Sequence, residues 1–469
     1  MEYISTRGEA PSLSFTDALI AGLAQDGGLY LPEAYPQLSR SEIAGFAGRP
    51  YAAVAEAVIT PFVDGTLEAL HAAIEAAYAG FAHPAVTPLT QLGDNLFLLE
   101  LFHGPTLAFK DLAMQLLSRM MRQVLAQRGK RATIVAATSG DTGAAAIAAF
   151  RDIDAVDLFI LYPHGRVSDV QRRQMTTVAA DNVHVVALDG TFDDAQALVK
   201  GLFANKRLRD EFSLAGVNSI NWARVVAQVV YYFTSAVALG APYRPVSFAV
   251  PTGNFGDILA GWIAKKMGLP TERLVIATNA NDILARALAT GRYEIGQVEA
   301  TQSPSMDIQV SSNFERLLFE AYGRDAAAIR RLMSALQQAG GFGIDAEPLA
   351  AIRSEFDAVR IGEAETTEEI ARVWREAQKL IDPHTAVGIG AARTALAVRP
   401  HIPMIVLGTA HPAKFPAAIE RATGITPPLP PHLADLFTRE ERFDILANDE
   451  RGLAAYMRQR LRASKRAAS

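Results

Sequence analysis

Short apolar runs alternate with segments of helical periodicity along most of this chain, and this alternation is the strongest constraint on its fold. The predicted strands are one that begins at Leu96 and the runs 133–137, 157–162, 183–188, 246–250, 274–278 and 403–407. Runs of this length are typical of strands that are buried on both faces. Strands that alternate with helices are typical of a parallel sheet with helices on both sides. The sequence therefore predicts an α/β fold.

Two changes in this pattern divide the chain into three regions. Residues 1–94 are mainly helical by periodicity, and Pro84 and Pro88 mark their end. Beyond residue 94, strands alternate with helices in one series up to about residue 240 and in a second series after it. A length of 469 residues suits two or three domains. We predict an N-terminal region at 1–94, a smaller α/β domain at 95–240 and a larger α/β domain at 241–469. Both domains are expected to contain a doubly wound, mostly parallel sheet.

Four helices are predicted with clear boundaries or a clear apolar face. They are 15–23, with Thr16 as a plausible cap, then 65–78, 111–127 and the basic segment 451–469. Leu112, Leu116, Met120 and Val124 form one apolar stripe on the third of them. The last helix is predicted to fray and to carry its charges on a solvated face.

Composition excludes several classes of protein. Half of the residues are hydrophobic, the net charge is only −5, and there is no cysteine. These values argue against disorder, a nucleic-acid partner, thiolate metal sites and cysteine nucleophiles. The N-terminus lacks a signal-peptide pattern, and the most apolar helix, 225–239, is too short to span a bilayer. We therefore expect a soluble, cytoplasmic protein without a membrane partner.

A lysine stands at the start of the predicted helix 111–127. Lys110 comes after an apolar stretch and a Gly-Pro turn at 104–105. The N-terminus of a helix carries a partial positive charge, so a cation there is unfavourable. Lys110 either has a functional role or simply extends its amine to solvent.

Two glycine-containing turns connect a predicted buried strand to a helix. They are Thr138–Gly143 and Gly253–Gly256, and both would direct backbone N–H groups toward an anion. Neither matches a dinucleotide-binding or nucleoside-triphosphate motif. A single phosphate group suits Gly253–Gly256 better, and we call this segment the phosphate cup. Alternatively, the glycines only allow a sharp turn.

Lys110 and the phosphate cup together indicate an aldehyde cofactor. Pyridoxal phosphate bound as a Schiff base requires a lysine that can lose its solvation and a site for its phosphate group. The sequence offers both and contains no metal-binding motif. The field of the helix N-terminus also lowers the pKa of the lysine. No pair of histidines has metal-ligand spacing, so no metal site is predicted.

Eight fragments in this order resemble threonine synthase, in the fold type II group of pyridoxal-phosphate enzymes. The resemblance covers nearly the whole chain. The fragments are 26–32 (DGGLYLP), 103–111 (HGPTLAFKD), 138–143 (TSGDTG), 253–256 (GNFG), 306–309 (MDIQ), 312–316 (SNFER), 382–388 (DPHTAVG) and 408–415 (GTAHPAKF). The resemblance implies a fold type II α/β enzyme of threonine biosynthesis with pyridoxal 5'-phosphate as its cofactor.

The resemblance also assigns roles to residues of this sequence. It makes Lys110 the Schiff-base and catalytic lysine, and Thr409 the partner of the pyridine nitrogen. The cofactor phosphate would be held by Gly253, Asn254, Phe255 and Gly256. The substrate-binding residues are expected among Ser139, Gly140, Asp141, Thr142, His103, Arg166 and Ser168. Further candidates for the anion site of a substrate phosphate are Arg172, Lys414 and the segment 6–8.

The reaction implied is the last step of threonine biosynthesis, which converts O-phospho-L-homoserine and water to L-threonine and phosphate. The expected partner is this small-molecule substrate, and the expected state is a monomer or homodimer. Three alternatives remain open. The first is another lyase, such as a serine or threonine dehydratase or a phospholyase that acts on a phosphorylated amine. The second is a nucleotide-binding regulatory protein or oxidoreductase, and the third is an inactive relative. The lack of a G-x-G-x-x-G motif argues against the second, and Lys110 argues against the third.

Overall fold

The computed structural model describes residues 1–63 and 65–462, and it confirms the predicted α/β class. Six strands form the large sheet, in the order Phe356–Arg360, Thr271–Thr278, Val246–Pro251, Met404–Gly408, Leu96–Glu100 and Leu89–Gly93. All neighbours are parallel except the last pair, which is antiparallel. Along the strand Val246–Pro251, Phe248 and Val250 pack into one hydrophobic cluster and Ala249 into another. The sheet is therefore buried on both faces.

Five parallel strands form the small sheet. Their order is Asp444–Ala447, Val183–Asp189, Val156–Pro163, Ala132–Ala137 and Leu214–Ala215. Leu158 and Ile160 pack on one face, whereas Phe159 and Leu161 pack on the other. The continuous apolar runs in the sequence reflect this burial on two faces.

Helices and short ribbons surround the two sheets. The helices after residue 100 are Lys110–Gln127, Asp141–Phe150, Asp169–Thr176, Phe192–Ala204, Lys206–Phe212, Trp222–Ala238, Gly256–Lys266, Ile283–Thr290, Phe314–Ala321, Ala326–Ala339, Ala346–Glu355, Glu363–Ala377, Pro383–Val398, Pro416–Thr423 and Glu450–Arg460. Short 3₁₀ turns span Pro304–Met306, Pro412–Lys414 and Pro431–Leu433. Arg292–Glu294 and Gly341–Gly343 form a separate antiparallel ribbon. No helix within the described ranges is long and apolar enough to cross a membrane.

The N-terminal region is mainly helical, as predicted. It contains the antiparallel pair Tyr3–Ser5 and Tyr30–Pro32 and the helices Phe15–Ala21, Arg40–Ala44, Tyr51–Val63 and Leu70–Tyr78. The prediction of Thr16 as a helix cap was wrong, because the side chain of Ser14 accepts the hydrogen bond from the Asp17 N–H. The predicted helix 65–78 begins only at Leu70.

The two sheets do not follow the predicted region boundaries at three strands. Leu89–Gly93 falls in the region 1–94 but pairs with Leu96–Glu100 in the large sheet. Leu96–Glu100 falls in the region 95–240 but pairs with Met404–Gly408 in the large sheet. Asp444–Ala447 falls in the region 241–469 but pairs with Val183–Asp189 in the small sheet. The division at 94/95 and 240/241 therefore stays a prediction about domains.

The C-terminal helix is not simply a solvated basic segment. Glu450–Arg460 is helical, and Leu453, Ala454 and Met457 are buried beside Phe159. Residues 463–469, which belong to the helix predicted from the sequence, lie outside the described residues.

Candidate active site

Lys110 is the first residue of the helix Lys110–Gln127 and is only 9% exposed. The chain reaches it from the end of the strand Leu96–Glu100 through a turn that places Leu107 at φ +64°. The Phe109 N–H donates to the Thr409 carbonyl oxygen at 2.9 Å, which fixes this turn beside the strand Met404–Gly408. The alternative in which Lys110 extends to solvent was wrong, because the side chain is held inside the protein.

Lys110 belongs to a buried trio with Asp141 and Lys414. Lys110 Nζ lies 3.2 Å from Asp141 Oδ2, and Lys414 Nζ lies 2.9 Å from Asp141 Oδ1. The Gln171 Nε2 also donates to Asp141 Oδ1, at 2.8 Å. Lys414 is fully buried and donates to the Thr106 carbonyl oxygen at 2.7 Å. One carboxylate thus serves two lysines within the protein interior.

The trio changes the acidity of its members. Burial lowers the pKa of Lys110, and the charge of Lys414 lowers it further, although Asp141 opposes both effects. Burial alone would raise the pKa of Asp141, but the charges of Lys414 and Lys110 outweigh it and hold this pKa well below its usual value. Asp141 is therefore an anion, and Lys110 is a lysine that gives up its proton more readily than usual.

The phosphate cup joins the strand Val246–Pro251 to the helix Gly256–Lys266. Phe255 has φ +64°, and no side chain caps the helix that begins after it. An added Cβ on Gly253 would lie 2.8 Å from the Ser305 carbonyl oxygen, so this position has no room for a side chain. The Asn313 N–H donates to the Asn254 carbonyl oxygen at 3.0 Å. The uncapped N–H groups at this helix start suit a phosphate group.

Ser305 connects the phosphate cup to the trio. Its carbonyl oxygen faces Gly253, its N–H donates to His384 Nε2 at 3.1 Å, and its hydroxyl lies 3.5 Å from Asp141 Oδ2. His384 can accept this bond because its other ring nitrogen, Nδ1, lies 2.6 Å from Asp382 Oδ2. The fold thus brings the predicted lysine and the predicted cup to one place. A buried amine and an open helix N-terminus are the two features that an aldehyde with a phosphate group needs.

The turn Thr138–Gly143 lies beside the same trio. The Thr138 Oγ1 accepts from the N–H groups of Gly140 and Gly143, each at 2.9 Å, and thereby shapes the turn. Gly140 has φ +132°, and an added Cβ would lie 2.6 Å from the Gln171 side chain. Ser139 and Thr142 remain partly exposed at the start of the helix Asp141–Phe150. A substrate carboxylate is suited to these two side chains, whereas Asp141 itself is already paired with two lysines.

His103 lies on the other side of the Lys110 turn, in a separate network. His103 Nε2 is 2.7 Å from Glu100 Oε2, and Lys379 Nζ is 2.5 Å from Glu100 Oε1. The Thr90 hydroxyl also donates to Glu100, at 2.7 Å. Burial by itself would raise the pKa of Glu100, but these hydrogen bonds lower it to about 2.

We expect Glu100→Gln to lower stability in a pH-dependent manner. A carboxyl group whose folded pKa is depressed stabilises the fold above its unfolded pKa, and this contribution is lost as pH falls toward the folded value. The variant should lose roughly 3 kcal/mol at pH 7, and the difference from wild type should shrink between about pH 4.5 and pH 2. Urea unfolding at several pH values measures both effects.

Glu272→Gln is the control for this substitution. Glu272 is an exposed glutamate on the strand Thr271–Thr278 of the same sheet. It should change stability by less than about 0.5 kcal/mol at every pH. A loss in Glu100→Gln that stays constant down to pH 2 would contradict the assignment of the effect to ionised Glu100.

The basic candidates for a second anion site differ in their ion-pair partners and in their distance from the trio. Arg172 pairs with Glu441 and Asp169, and Arg7 pairs with Glu315. Arg166 lies exposed on a turn in which its N–H donates to the Pro163 carbonyl oxygen. Only two candidates lie next to the trio: Lys414, which is a member of it, and Ser168, whose hydroxyl donates to the Lys414 carbonyl oxygen at 3.1 Å.

Sequence reasoning misses Gln171 and Ser305, which contact Asp141. It also misses Arg224, whose charge helps to lower the pKa of Lys110. The pattern places Gln171 only in a helix and Ser305 only in a loop, and it does not single out Arg224. Arg224 does carry a sequence signal, because it is a cation in the first turn of the helix Trp222–Ala238, as Lys110 is in its own helix.

Three family models match the chain in sequence order. They are described as threonine synthase N terminus (residues 2–78), pyridoxal-phosphate dependent enzyme (82–352) and threonine synthase, C-terminal (385–457). A relative from Pseudomonas aeruginosa named threonine synthase is 52% identical over 462 residues, which cover 98% of each chain.

Two solved structures match nearly the whole fold. The crystal structure of pyridoxal-phosphate-bound threonine synthase from Brucella melitensis has a TM-score of 0.95 and 58% identity, covering 98% of this chain and 100% of that one. The threonine synthase from yeast has a TM-score of 0.92 and 39% identity, covering 98% of both chains. The predicted fold type II architecture is confirmed by these matches.

Proposed function

The chain belongs to the threonine synthase family of pyridoxal-phosphate dependent enzymes, and we propose that its site converts O-phospho-L-homoserine and water to L-threonine and phosphate. The chain is thus an enzyme of threonine biosynthesis that uses pyridoxal 5'-phosphate. The observation that supports the proposal most is the junction of the buried trio and the phosphate cup at Ser305. A serine or threonine dehydratase would use a similar lysine and cup, but the family match extends over the whole chain.

The residues of the site fit the cofactor. Lys110 would bind its aldehyde, the phosphate cup would hold its phosphate, and Thr409, which lies against the Lys110 turn, would face its pyridine nitrogen. When bound, pyridoxal phosphate supplies an electron sink that stabilises negative charge at the substrate Cα. A hydroxyl partner such as Thr409 leaves the ring nitrogen less firmly protonated than a carboxylate partner does.

Lys110 is the proposed base of the reaction. Burial lowers the pKa of Lys110, which favours its neutral, proton-accepting form relative to an ordinary lysine, as general-base catalysis requires. The amine would take the proton from Cα and then one from Cβ. Phosphate leaves from Cγ, which gains one proton. Water adds its hydroxyl group at Cβ, and a proton returns to Cα. The contact with Asp141 at 3.2 Å orients the amine between these steps.

The remaining substrate contacts are proposed from position. Ser139, Gly140 and Thr142 offer hydroxyl and N–H donors to the substrate carboxylate at a helix N-terminus. His103, Arg166 and Ser168 stay predictions, with Ser168 favoured by its contact with Lys414. Asp141 would act through the two lysines that it pairs.

Product analysis tests the proposed reaction. The purified protein should release phosphate and threonine from O-phospho-L-homoserine, with little ammonia from serine or threonine. Ammonia release from serine or threonine at a higher kcat/KM than phosphate release from O-phospho-L-homoserine would refute the proposal in favour of a dehydratase.

Gly253→Ala is expected to weaken cofactor binding. The new methyl group would lie 2.8 Å from the Ser305 carbonyl oxygen, so the phosphate cup must shift. Overpacking of this kind costs about 1–3 kcal/mol, which corresponds to roughly a 5- to 150-fold weaker affinity. Titration of the apoenzyme with pyridoxal phosphate, followed by absorbance, measures it.

Gly343→Ala provides the matched control. Gly343 is exposed at the edge of the ribbon Gly341–Gly343, and an added Cβ meets nothing within 4 Å. Its affinity for the cofactor should equal that of wild type. An unchanged cofactor affinity in Gly253→Ala would show that the phosphate cup does not hold the cofactor.

A further inference from the structure

Arg224 is a buried cation without an anionic partner in the part of the chain that the structure describes. It is 3% exposed, and burial lowers the pKa of its guanidinium to about 10, so it remains charged at neutral pH. Its Nη1 donates to the Val217 carbonyl oxygen at 3.2 Å, whereas its buried Nε has no hydrogen-bond partner among the described residues. No carboxylate of residues 1–63 and 65–462 forms an ion pair with it. Such a group is costly to bury unless an anion accompanies it.

Arg316 shows how the chain satisfies a buried arginine when no ligand is needed. It is equally buried, and its pKa is also lowered to about 10. All three of its guanidinium nitrogens donate, to the carbonyl oxygens of Tyr30 and Ile220 and to the side chain of Asn313. The unused Nε of Arg224 therefore differs from the usual treatment of a buried guanidinium in this molecule.

The helix that carries Arg224 lies against the phosphate cup along the face on which Arg224 stands. Arg224, Gln228 and Tyr231 are spaced by four and three residues, so they share one face of the helix Trp222–Ala238. Gln228 Oε1 is 3.7 Å from the position of a Cβ on Gly256, and the Tyr231 hydroxyl donates to Asp257 at 2.5 Å. Arg224 lies on this face one turn before Gln228. The same face therefore runs along the cup toward Arg224.

Arg224 also acts on Lys110 through its charge. Its charge contributes to the lowered pKa of the Lys110 amine. A cation in the first turn of a helix is itself unfavourable. Three unfavourable features thus coincide at one residue: burial, the field of the helix N-terminus and the nearby charges of the site. An anion bound between the cup and Lys110 would offset all three.

We infer that Arg224 binds a phosphate monoester, and that this group is the cofactor phosphate held by Gly253–Gly256. A guanidinium offers fixed donors that match phosphate oxygens, and the backbone N–H groups of the cup supply no full charge of their own. The substrate also carries a phosphate monoester, which is the other possible source of this ligand. The inference rests on the proposed function only where the substrate phosphate is the ligand.

Binding of pyridoxal phosphate and of pyridoxal to the apoenzyme separates these cases. The two ligands differ only in the phosphate group, so pyridoxal is an internal control for the fold of each variant. Arg224→Gln should weaken the binding of pyridoxal phosphate by about 10- to 100-fold and leave that of pyridoxal within about 3-fold of wild type. Arg224→Lys, which keeps the charge, should lose less.

The second arm uses the cofactor-loaded variant. If Arg224 binds the substrate phosphate instead, Arg224→Gln should bind pyridoxal phosphate as tightly as wild type does. Its affinity for O-phospho-L-homoserine should then fall, and its affinity for L-homoserine should not change. Equal losses for pyridoxal phosphate and pyridoxal, or no loss for either phosphate ester, would overturn the inference. Because neither arm measures turnover, failure of the proposed reaction leaves the test of Arg224 intact.

Discussion

Lys110→Ala should lose turnover almost completely and keep its fold. The variant lacks both the amine that binds the aldehyde and the base that moves the substrate protons, so we expect kcat to fall by roughly 10³-fold or more. The fold should survive because Asp141 keeps its ion pair with Lys414 at 2.9 Å. No buried carboxylate of the trio is left without a cation. Steady-state phosphate release and the thermal melting curve measure the two effects.

A chemical control identifies the lysine independently of turnover. Borohydride reduction of the wild-type holoenzyme should attach the cofactor covalently to the peptide that contains Lys110. Lys130→Ala, at an exposed lysine after the same helix, should keep full activity. Residual activity of Lys110→Ala within about 10-fold of wild type, or labelling of a different lysine, would overturn the assignment.

Lys414→Met should lower the stability of the protein strongly. Lys414 is fully buried, and its removal leaves Asp141 with the longer ion pair to Lys110 and the hydrogen bond from Gln171. Removing one member of a buried ion pair costs about 3–5 kcal/mol when the other charge is left without compensation, and we expect the lower end of this range because Lys110 still pairs with Asp141. Methionine fills a similar volume, so little of this loss would come from a cavity. Urea unfolding at pH 7 measures it.

A second substitution tells charge from packing. Lys414→Met combined with Asp141→Asn leaves no carboxylate in the trio, so the double variant should recover at least half of the lost stability. Lys206→Met, at an exposed lysine, should change stability by less than about 0.5 kcal/mol. If the stability lost by the double variant equals the sum of the losses of the two single variants, the pairing of Lys414 with Asp141 is not what stabilises this site.

The parts of the fold that depend on local pattern were predictable. Every strand predicted from a continuous apolar run is present, because a strand buried on two faces must be apolar throughout. The strands that were missed are at sheet edges or are very short: Tyr3–Ser5, Leu89–Gly93, Phe356–Arg360, Asp444–Ala447, Leu214–Ala215 and the strands of the ribbon at 292–294 and 341–343. Edge strands are partly solvated, so their sequences resemble loops.

The site was predictable only where the chemistry is local. Lys110 and the phosphate cup are marked by their neighbours in sequence. The pairing of Lys414 with Asp141 joins residues 273 positions apart, and Lys414 alone looks like a phosphate ligand or a surface charge. Arg224 obeys the same rule that identifies Lys110, yet no glycine-containing turn stands beside it to draw attention. Long-range charge compensation leaves no periodic trace in a sequence.

The strand Asp444–Ala447 has a consequence for biosynthesis of the protein. It completes the small sheet beside Val183–Asp189, although about 250 residues separate the two in sequence. During translation the small sheet therefore lacks this edge strand until nearly the whole chain has been made. The strand Val183–Asp189 presents unpaired backbone groups throughout that time, which is a liability for aggregation. Truncation before residue 444 should make that exposure permanent, and we expect such a shortened chain to aggregate more readily than the full sequence.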